Sequence, residues 1–250
     1  MSKRHPIIAV TGSSGAGTTT TGQIFRRLFA SEELNAAMVG GDSFHLYTRE
    51  QMARLAAKGQ FGERNHFALE ANHIDRVEAL FYDYSHTGNG RYRQYVHDED
   101  RQLVEAGHKP GTFTPWGPLP ADTDLLFYEG LHGGVISESY NIAQYVDLLI
   151  GVVPIVNLEW IQKIHRDTNQ RGYSQEAVVQ TIINRMEDYV HDIVPQFSHT
   201  HINFQRIPLV DTSNPFIARD VPSEDESMVV IHFRDSNEVD FSWLLQAIPQ

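Results

Sequence analysis

The sequence predicts an α/β fold in which helices flank a mostly parallel sheet, and three observations support this prediction. Short apolar runs alternate along the chain with stretches in which apolar residues have helical spacing. Such alternation is typical of strands joined by crossover helices. The first apolar run, residues 7–11, leads into a glycine-rich turn that is followed by a helical pattern. The 250 residues, of which 41% are hydrophobic and 21% charged, suffice for a sizeable core.

The first half of the chain supplies strands and helices in alternation. Apolar runs predict buried strands at residues 7–11 and 36–40, and a further strand at 124–130 that closes on a glutamate. Apolar residues three and four apart predict helices over 18–30 and 70–84. These elements follow one another as a parallel sheet with crossover helices requires.

The segment 85–120 interrupts this alternation. It is rich in glycine and proline, which predicts an irregular excursion from the sheet. Within it, residues 91–98 follow the turn sequence His-Thr-Gly-Asn-Gly, and we expect them to be extended.

The second half continues the α/β pattern and adds late strands. An apolar run predicts a strand at 146–153, and helical spacing predicts helices over 155–170 and 174–192. Two late strands are predicted at 202–210 and 228–233. Because no internal repeat and no low-complexity linker divides the chain, we predict a single domain over residues 1–250.

Composition and charge restrict the classes of partner. The net charge of −12 disfavours nucleic acids and anionic membranes, since both require a basic face. The absence of cysteine excludes disulfides and thiolate catalysis. No apolar stretch reaches the roughly 18 residues that a membrane span needs, and no signal peptide is visible. We therefore expect a cytoplasmic protein without a membrane or nucleic-acid partner, and we expect it to be a homo-oligomer.

The glycine-rich turn after the first strand follows the plan of a P-loop, G-x-x-x-x-G-K-[ST]. Gly12 and Gly17 occupy the glycine positions and Thr19 the hydroxyl position that binds Mg²⁺, but Thr18 stands in place of the lysine. Backbone N–H groups of such a loop bind phosphates whether or not the lysine is present. The alternative is a simple turn that leads into an N-capped helix. The candidate nucleotide-binding residues are Gly12, Ser13, Ser14, Gly15, Ala16, Gly17, Thr18 and Thr19.

A cation from elsewhere must replace the missing lysine if the loop binds a nucleoside triphosphate. The chain has only four lysines, and one of them, Lys163, is followed by Arg166 on the same helix face. Arg171 falls near a helix stop at Gly172, from which it can approach as part of a lid over residues 159–173. The alternative is an ordinary ion pair of Lys163 on a solvated helix face, four residues from Glu159.

Two carboxylates complete the candidate site. Glu129 closes the strand at 124–130, where a carboxylate beside a P-loop usually holds Mg²⁺. Asp42 follows the strand at 36–40, and kinases that phosphorylate a hydroxyl use an aspartate to orient or accept its proton. Either acid alone is equally well explained as a helix or turn cap. Both together at strand ends favour a ligand site, because open α/β sheets bind ligands at that edge.

These residues lie in motifs that resemble those of the bacterial phosphoribulokinases, and the resemblance extends from residue 5 to about residue 243. In that family the P-loop carries threonine where most P-loops carry lysine, as Thr18 does here. The motifs are GSSGAGTTT, GDSFHLYTR, RQYVHD, FYEGLHGG, VPIVNLEWIQKIHRD, RGYS, VPQFSHTHINFQR and DTSNPFIARD.

The resemblance implies a P-loop kinase fold and the ATP-dependent phosphorylation of D-ribulose 5-phosphate at its 1-hydroxyl, a Calvin-cycle reaction that requires Mg²⁺. By the same resemblance, Asp42 is the catalytic base and Glu129 the Mg²⁺ carboxylate. Lys163 and Arg166 are phosphate-binding cations of the lid, and Arg171 beside them contributes to substrate binding. The residues that match the sugar-phosphate positions are His45, Arg49, Tyr95 and His97.

Other functions stay open at this stage. The same residues suit a P-loop kinase for another acceptor, such as uridine, a pantothenate-like alcohol or another pentose phosphate, and they suit a non-catalytic ATP-binding module. A GTPase is disfavoured because the chain has no N-K-x-D motif. The sequence ends before the usual C-terminal element of the family and has His232 where a regulatory arginine is expected. We expect catalysis to be retained despite both differences.

Overall fold

A computed structural model of the chain describes residues 4–13, 17–58, 65–153, 155–169 and 171–247. In chain order, its strands are β1 (Ile7–Thr11), β2 (Ala36–Gly40), β3 (Arg91–Tyr92), β4 (Gly117–Pro118), β5 (Leu125–Gly130), β6 (Leu148–Val152), β7 (Ile202–Pro208) and β8 (Ser227–Phe233). The α-helices are α1 (Thr18–Ser31), α2 (Arg49–Ala57), α3 (Ile74–Thr87), α4 (Arg101–Glu105), α5 (Val156–Asn169), α6 (Gln175–Asn184), α7 (Met186–Asp188) and α8 (Phe241–Ala247).

The described residues form a six-stranded main sheet in the order β2-β5-β1-β6-β7-β8. The pairs β2–β5, β5–β1, β1–β6 and β6–β7 are parallel, and the pair β7–β8 is antiparallel. The short strands β3 and β4 form a separate antiparallel pair. The predicted α/β class with a mostly parallel sheet and late strands is confirmed.

The two faces of the sheet are buried against different helices, which explains the uninterrupted apolar run of β5. Leu126 and Tyr128 point to the face that packs against α3, where Phe81 is also fully buried. Phe127 points to the opposite face, where it packs against Phe29 of α1. Burial of each such side chain contributes about 1.5–3 kcal/mol to stability, so both layers are needed for the fold.

The strand register brings three chain segments to one edge of the sheet. Glu129 of β5 lies opposite Val10 of β1 and Gly40 of β2. The glycine-rich turn begins at Gly12, two residues after Val10, and Asp42 lies two residues after Gly40. The turn and Asp42 therefore lie on either side of Glu129. Parallel pairing places the carboxyl ends of all three strands together, as the sequence predicted.

Several element boundaries differ from the predicted ones. The helix predicted over 70–84 begins only at Ile74, because residues 69–71 form a 3₁₀ turn instead. The segment 91–98 is a strand only at Arg91–Tyr92 and is otherwise irregular, with an isolated bridge between Tyr95 and Phe113. Non-local pairing decided both boundaries.

The helix predicted over 174–192 is interrupted. α6 ends at Asn184, and after α7 the chain forms a π-helical turn at Tyr189–Ile193. Tyr189 and Ile193 are buried against the segment that contains Phe67, so tertiary packing interrupts a sequence pattern that is continuous. The helices α2, α4 and α8 were not predicted. Among the described residues, no helix is both long and apolar enough to span a membrane.

Candidate active site

The strand–turn–helix order of a P-loop is present at the start of the chain. Gly12 follows β1 and is closely packed, since a Cβ there would lie 2.7 Å from Thr18 Cγ2 and 2.9 Å from the Val152 carbonyl oxygen. Gly17 has a φ of 98°, which favours glycine, and α1 begins at the next residue. Residues 14–16 of the predicted nucleotide-binding set, and the side chain of Thr19, lie outside the described part of the chain.

Glu129 lies against the first turns of α1. The Thr18 hydroxyl donates a hydrogen bond to its carboxylate, and the space above Gly22 is limited by Glu129 Oε2. Burial raises the pKa of Glu129, the hydrogen bond from Thr18 lowers it, and the negative charge of Asp42 raises it further. The residue that replaces the P-loop lysine is therefore a neighbour of the candidate metal carboxylate, and the two candidate carboxylates are close enough to interact.

Mg²⁺ prefers oxygen ligands and usually binds through one or two carboxylates, substrate phosphates and water. Glu129 and Asp42 offer such oxygens at the end of the P-loop. In the described residues, no group of three or more histidine, cysteine, aspartate or glutamate side chains could enclose a metal ion. These donors fit a Mg²⁺ ion that arrives with a nucleotide, rather than one held in an all-protein cage.

Asp42 lies in the 3₁₀ turn Gly41–Phe44 directly after β2, and two histidines approach its carboxylate. His45 Nε2 is 3.1 Å from Asp42 Oδ1, and His97 Nε2 is 3.7 Å from Oδ2. Burial raises the pKa of Asp42, but the hydrogen bond from His45 and the charges of the nearby histidines outweigh this and hold it well below its usual value. The N-cap of this turn is Gly40, so Asp42 lies inside the turn and not at its cap position.

The predicted sugar-phosphate residues converge around Asp42 from separate elements. Arg49, at the start of α2, donates to Asp98 at 2.8 and 3.0 Å, and this hydrogen bond raises its pKa. Arg49 also contacts Tyr95, whose ring lies 4.9 Å from that of His97. The side chain of Arg49 is 47% exposed, so its guanidinium is available to a ligand.

Lys163, Arg166 and Arg171 also converge, and they share a partner that the sequence analysis missed. Asp167 accepts hydrogen bonds from Lys163 at 2.6 Å, Arg166 at 3.0 Å and Arg171 at 3.2 Å. Burial lowers the pKa of Lys163 to about 8 although Asp167 opposes this shift. Only the spacing of four residues between Lys163 and Asp167 could have signalled the pair.

Glu159 does not form the ion pair on a solvated face that was considered for Lys163. It is 5% exposed, and it accepts hydrogen bonds from Ser13 of the glycine-rich turn and from Tyr189 at 3.3 Å. Burial raises the pKa of Glu159 to about 6, while both hydrogen bonds lower it. Glu159 thus joins the start of the P-loop to the helix that carries Lys163.

Arg93 is a second residue that the sequence analysis missed. Its guanidinium donates to the carbonyl oxygens of Ser43 at 2.8 Å and His45 at 2.5 Å, and it lies 3.6 Å from the centre of the Phe113 ring. A bidentate guanidinium fixes both carbonyls at once. Arg93 therefore ties the turn that carries Asp42 to the irregular excursion.

The glycine-rich turn after β1, the carboxylates at the ends of the neighbouring strands and the cations on α5 define a P-loop kinase fold. The sequence profile of the Phosphoribulokinase / Uridine kinase family matches residues 7–213. The chain belongs to this family, which confirms the resemblance seen in the sequence.

Individual relatives agree with the family assignment. The chain is 58% identical over 247 residues to the "Probable phosphoribulokinase" of Escherichia coli (strain K12), and the match covers 98% of this chain and 85% of that protein. It is 56% identical to the chromosomal phosphoribulokinase of Cupriavidus necator, over 99% of this chain and 86% of the relative. A solved structure of the Rhodobacter spheroides phosphoribulokinase superposes with a TM-score of 0.85 at 50% identity, covering 99% of this chain and 86% of that one.

Proposed function

We propose that this protein transfers the γ-phosphoryl group of Mg·ATP to the 1-hydroxyl of D-ribulose 5-phosphate, which yields ribulose 1,5-bisphosphate. The observation that carries the proposal is the position of the Asp42 carboxylate, hydrogen-bonded to His45 at the same sheet edge as Glu129 and the glycine-rich turn. The identity of 52–58% to proteins named phosphoribulokinase supports the choice of acceptor.

In this proposal, the nucleotide is bound by backbone N–H groups of the turn and by the N-terminus of α1, which attract phosphate. Thr19 and Glu129 would hold Mg²⁺, and the ion would supply positive charge that neutralises the phosphates. Thr18 leaves the turn itself without a cation. Lys163 and Arg166 on α5 supply positive charge instead, since Glu159 holds that helix against the turn.

The acceptor is oriented by residues around Asp42. Arg49 exchanges its exposed partner Asp98 for the acceptor phosphate, because a guanidinium binds phosphate and carboxylate with the same bidentate geometry. His45, Tyr95 and His97 complete this pocket, and Arg171 contributes from the end of α5, near enough to Asp98 to affect its pKa.

Asp42 acts on the acceptor hydroxyl. Its depressed pKa keeps the carboxylate ionised at neutral pH, so it is ready to accept a hydrogen bond from the 1-hydroxyl. As the hydroxyl oxygen bonds to the γ-phosphorus, the bond from phosphorus to the β,γ-bridging oxygen breaks and the hydroxyl proton moves to Asp42. Phosphoryl transfer is loose, so positioning and charge stabilisation account for most of the catalysis.

The test compares ATP turnover with ribulose 5-phosphate, ribose 5-phosphate, xylulose 5-phosphate and uridine. We expect ribulose 5-phosphate to be preferred, and Asp42→Asn to lower kcat by ~10²- to 10⁴-fold while nucleotide binding persists. The matched control is Asp83→Asn on the exposed face of α3, which should not change kcat. A preference for uridine would overturn the acceptor, and an Asp42→Asn variant that keeps more than about a tenth of kcat would overturn the role of Asp42.

The expected lid over 159–173, the homo-oligomer and the cytoplasmic location stay predictions. Half-exposed apolar side chains on β8, including Val229 at 60% and Ile231 at 40%, support a homo-oligomer. Light scattering on the purified protein would test this, and a monomer at micromolar concentration would contradict it.

A further inference from the structure

The hydroxyl group of Tyr189 is linked to the glycine-rich turn through Glu159. Tyr189 Oη donates to Glu159 Oε2 at 3.3 Å, and the Ser13 hydroxyl donates to the other carboxylate oxygen, Oε1. All three residues are buried, with exposed fractions of 7% for Tyr189, 5% for Glu159 and 1% for Ser13. Such burial leaves little room for water to replace either donor.

The chemistry of the groups fixes the direction of both hydrogen bonds. An ionised carboxylate can only accept, so the two hydroxyl groups donate. Burial and the negative charge of Glu159 raise the pKa of Tyr189, so its phenol keeps the proton that it donates. Each donor has its own carboxylate oxygen, and a buried oxygen without a donor is unfavourable. The position of the Glu159 carboxylate therefore depends on Tyr189 as well as on Ser13.

Tyr189 is held in place by the π-helical turn Tyr189–Ile193, a kind of turn that is frequent at functional sites. Its backbone N–H donates to the Arg185 carbonyl oxygen at 2.8 Å. Its ring packs against Phe67, with 6.2 Å between the ring centroids. The Tyr189 hydroxyl is thus presented to Glu159 from a packed segment.

The segment after α7 also contacts the residue that precedes the glycine-rich turn. Gln196 lies three residues after the π-helical turn, and its side-chain oxygen accepts a hydrogen bond from the Thr11 hydroxyl at 3.1 Å. Ser13, two residues after Thr11, is reached from the same segment by Tyr189 through Glu159. The start of the glycine-rich turn is therefore held at two points by one segment.

We propose that Tyr189 is a positioning residue for nucleotide binding, which acts by holding the Glu159 carboxylate in place for Ser13. Backbone N–H groups of such a turn bind phosphates when successive peptide groups point at the ligand, so the conformation at Ser13 contributes to affinity. Tyr189 acts on the turn through Glu159 and is not a catalytic residue. The inference rests on the proposed function in that ATP must bind at this turn, but it does not depend on the acceptor.

Tyr189→Phe tests the inference, because it removes the hydroxyl and keeps the ring that packs against Phe67. Binding is measured by isothermal titration calorimetry on the full chain without acceptor, with Mg²⁺ and the non-hydrolysable ATP analogue AMP-PNP. We expect its Kd to rise roughly 2- to 10-fold, the factor that corresponds to the net contribution of one hydrogen bond. The KM for ribulose 5-phosphate should not change. An unchanged Kd in a folded Tyr189→Phe variant would overturn the inference.

Tyr84→Phe is the matched control. Tyr84 is also buried, and its hydroxyl is 2.9 Å from the Thr123 hydroxyl, which precedes β5 at the sheet edge opposite the glycine-rich turn. We expect this variant to lose stability in urea unfolding but to bind AMP-PNP as the wild type does. An equal rise in Kd in both variants would show a general loosening of the fold and overturn the inference. An equal rise in the Kd for AMP-PNP and the KM for ribulose 5-phosphate in Tyr189→Phe would do the same.

Ser13→Ala tests whether Tyr189 acts through Glu159. We expect Ser13→Ala to raise the Kd for AMP-PNP, and the addition of Tyr189→Phe to have little further effect, because the carboxylate then has no side chain of the turn to hold. Effects that multiply in the double variant would overturn this route. So would an unchanged Kd in Ser13→Ala, even if Tyr189→Phe does not fold.

Failure of the proposed function has a different signature. A wild type that binds AMP-PNP but prefers another acceptor would overturn the acceptor and leave the role of Tyr189 to be decided by the Kd values. A wild type that does not bind AMP-PNP would overturn the proposed function and this inference together.

Discussion

Replacing Glu159 by glutamine should change the pH dependence of stability. Glu159 is 5% exposed, and its carboxylate accepts hydrogen bonds from Ser13 and Tyr189. Glutamine has the same shape and keeps an acceptor oxygen for Ser13, but it carries no charge. The substitution therefore removes the cost of burying an ionised carboxylate while leaving most of the packing in place.

The pKa of Glu159 sets the size and sign of the effect. Burial raises this pKa from 4.5 to about 6, so the folded state binds more protons than the unfolded state between these values. Stability conferred by the protonated form is present at low pH and is lost as the pH rises through this window. At 1.36 kcal/mol per pKa unit, the total loss is about 2 kcal/mol, of which about 1 kcal/mol falls between pH 5 and 7.5.

The assay is urea unfolding of the wild type and of Glu159→Gln, followed by tryptophan fluorescence at several pH values from about 5 to 7.5. The other acidic groups titrate in both proteins, so the difference in the free energy of unfolding between the two proteins reports the contribution of Glu159 alone. We expect the variant to gain about 1 kcal/mol on the wild type across this range.

Glu138→Gln serves as the control, since Glu138 lies on the surface and its removal should leave the pH dependence nearly unchanged. A difference between wild type and Glu159→Gln that stays constant with pH would refute the reasoning. An increase with pH in the free energy of unfolding of the wild type relative to Glu159→Gln would also refute the reasoning. Such an increase would mean that the hydrogen bonds from Ser13 and Tyr189 affect the pKa of Glu159 more than burial does.

Three further substitutions test the proposed site. Glu129→Gln should raise the Mg²⁺ concentration required for turnover with the fold retained, and an unchanged Mg²⁺ titration would remove Glu129 from the metal site. Arg49→Ala should raise KM for the sugar phosphate by a factor that corresponds to a loss of ~1.5–3 kcal/mol of binding free energy. Arg54→Ala, which breaks an exposed pair on the same helix, should leave this KM unchanged. An equal rise in the KM for ATP would indicate a structural role for Arg49. Lys163→Met should lower kcat by roughly 10²-fold and change ATP binding little. Adding Thr18→Lys to this variant should not restore its kcat. Restored activity in the double variant would show that the two positions are interchangeable.

The sequence by itself determined the parallel sheet and the edge at which the candidate site residues lie. Strand β2 was predicted with its exact bounds, and the turn after β1 was located from its glycines and hydroxyl residues. Local patterns suffice for this, because apolar runs specify buried strands and parallel pairing then brings their carboxyl ends together. Asp42 and Glu129 were selected as candidate site residues for the same reason, since each directly follows or closes a strand.

The contacts of these residues were decided only by the tertiary structure. Glu159 and Asp167 lie on α5, whose sequence pattern is also compatible with a solvated face of ion pairs. Both side chains are buried instead. Glu159 contacts Ser13, and Asp167 contacts three cations. Arg93 donates to the backbone carbonyls of Ser43 and His45, which lie 50 and 48 residues away in the chain, and such partners leave no trace in local spacing. The interruption after α6 is of the same kind, because packing of Tyr189 and Ile193 against another segment overrides a continuous helical pattern. Hydrogen bonds and burial between distant segments depend on where the fold brings them, which the order of residues along one segment does not encode.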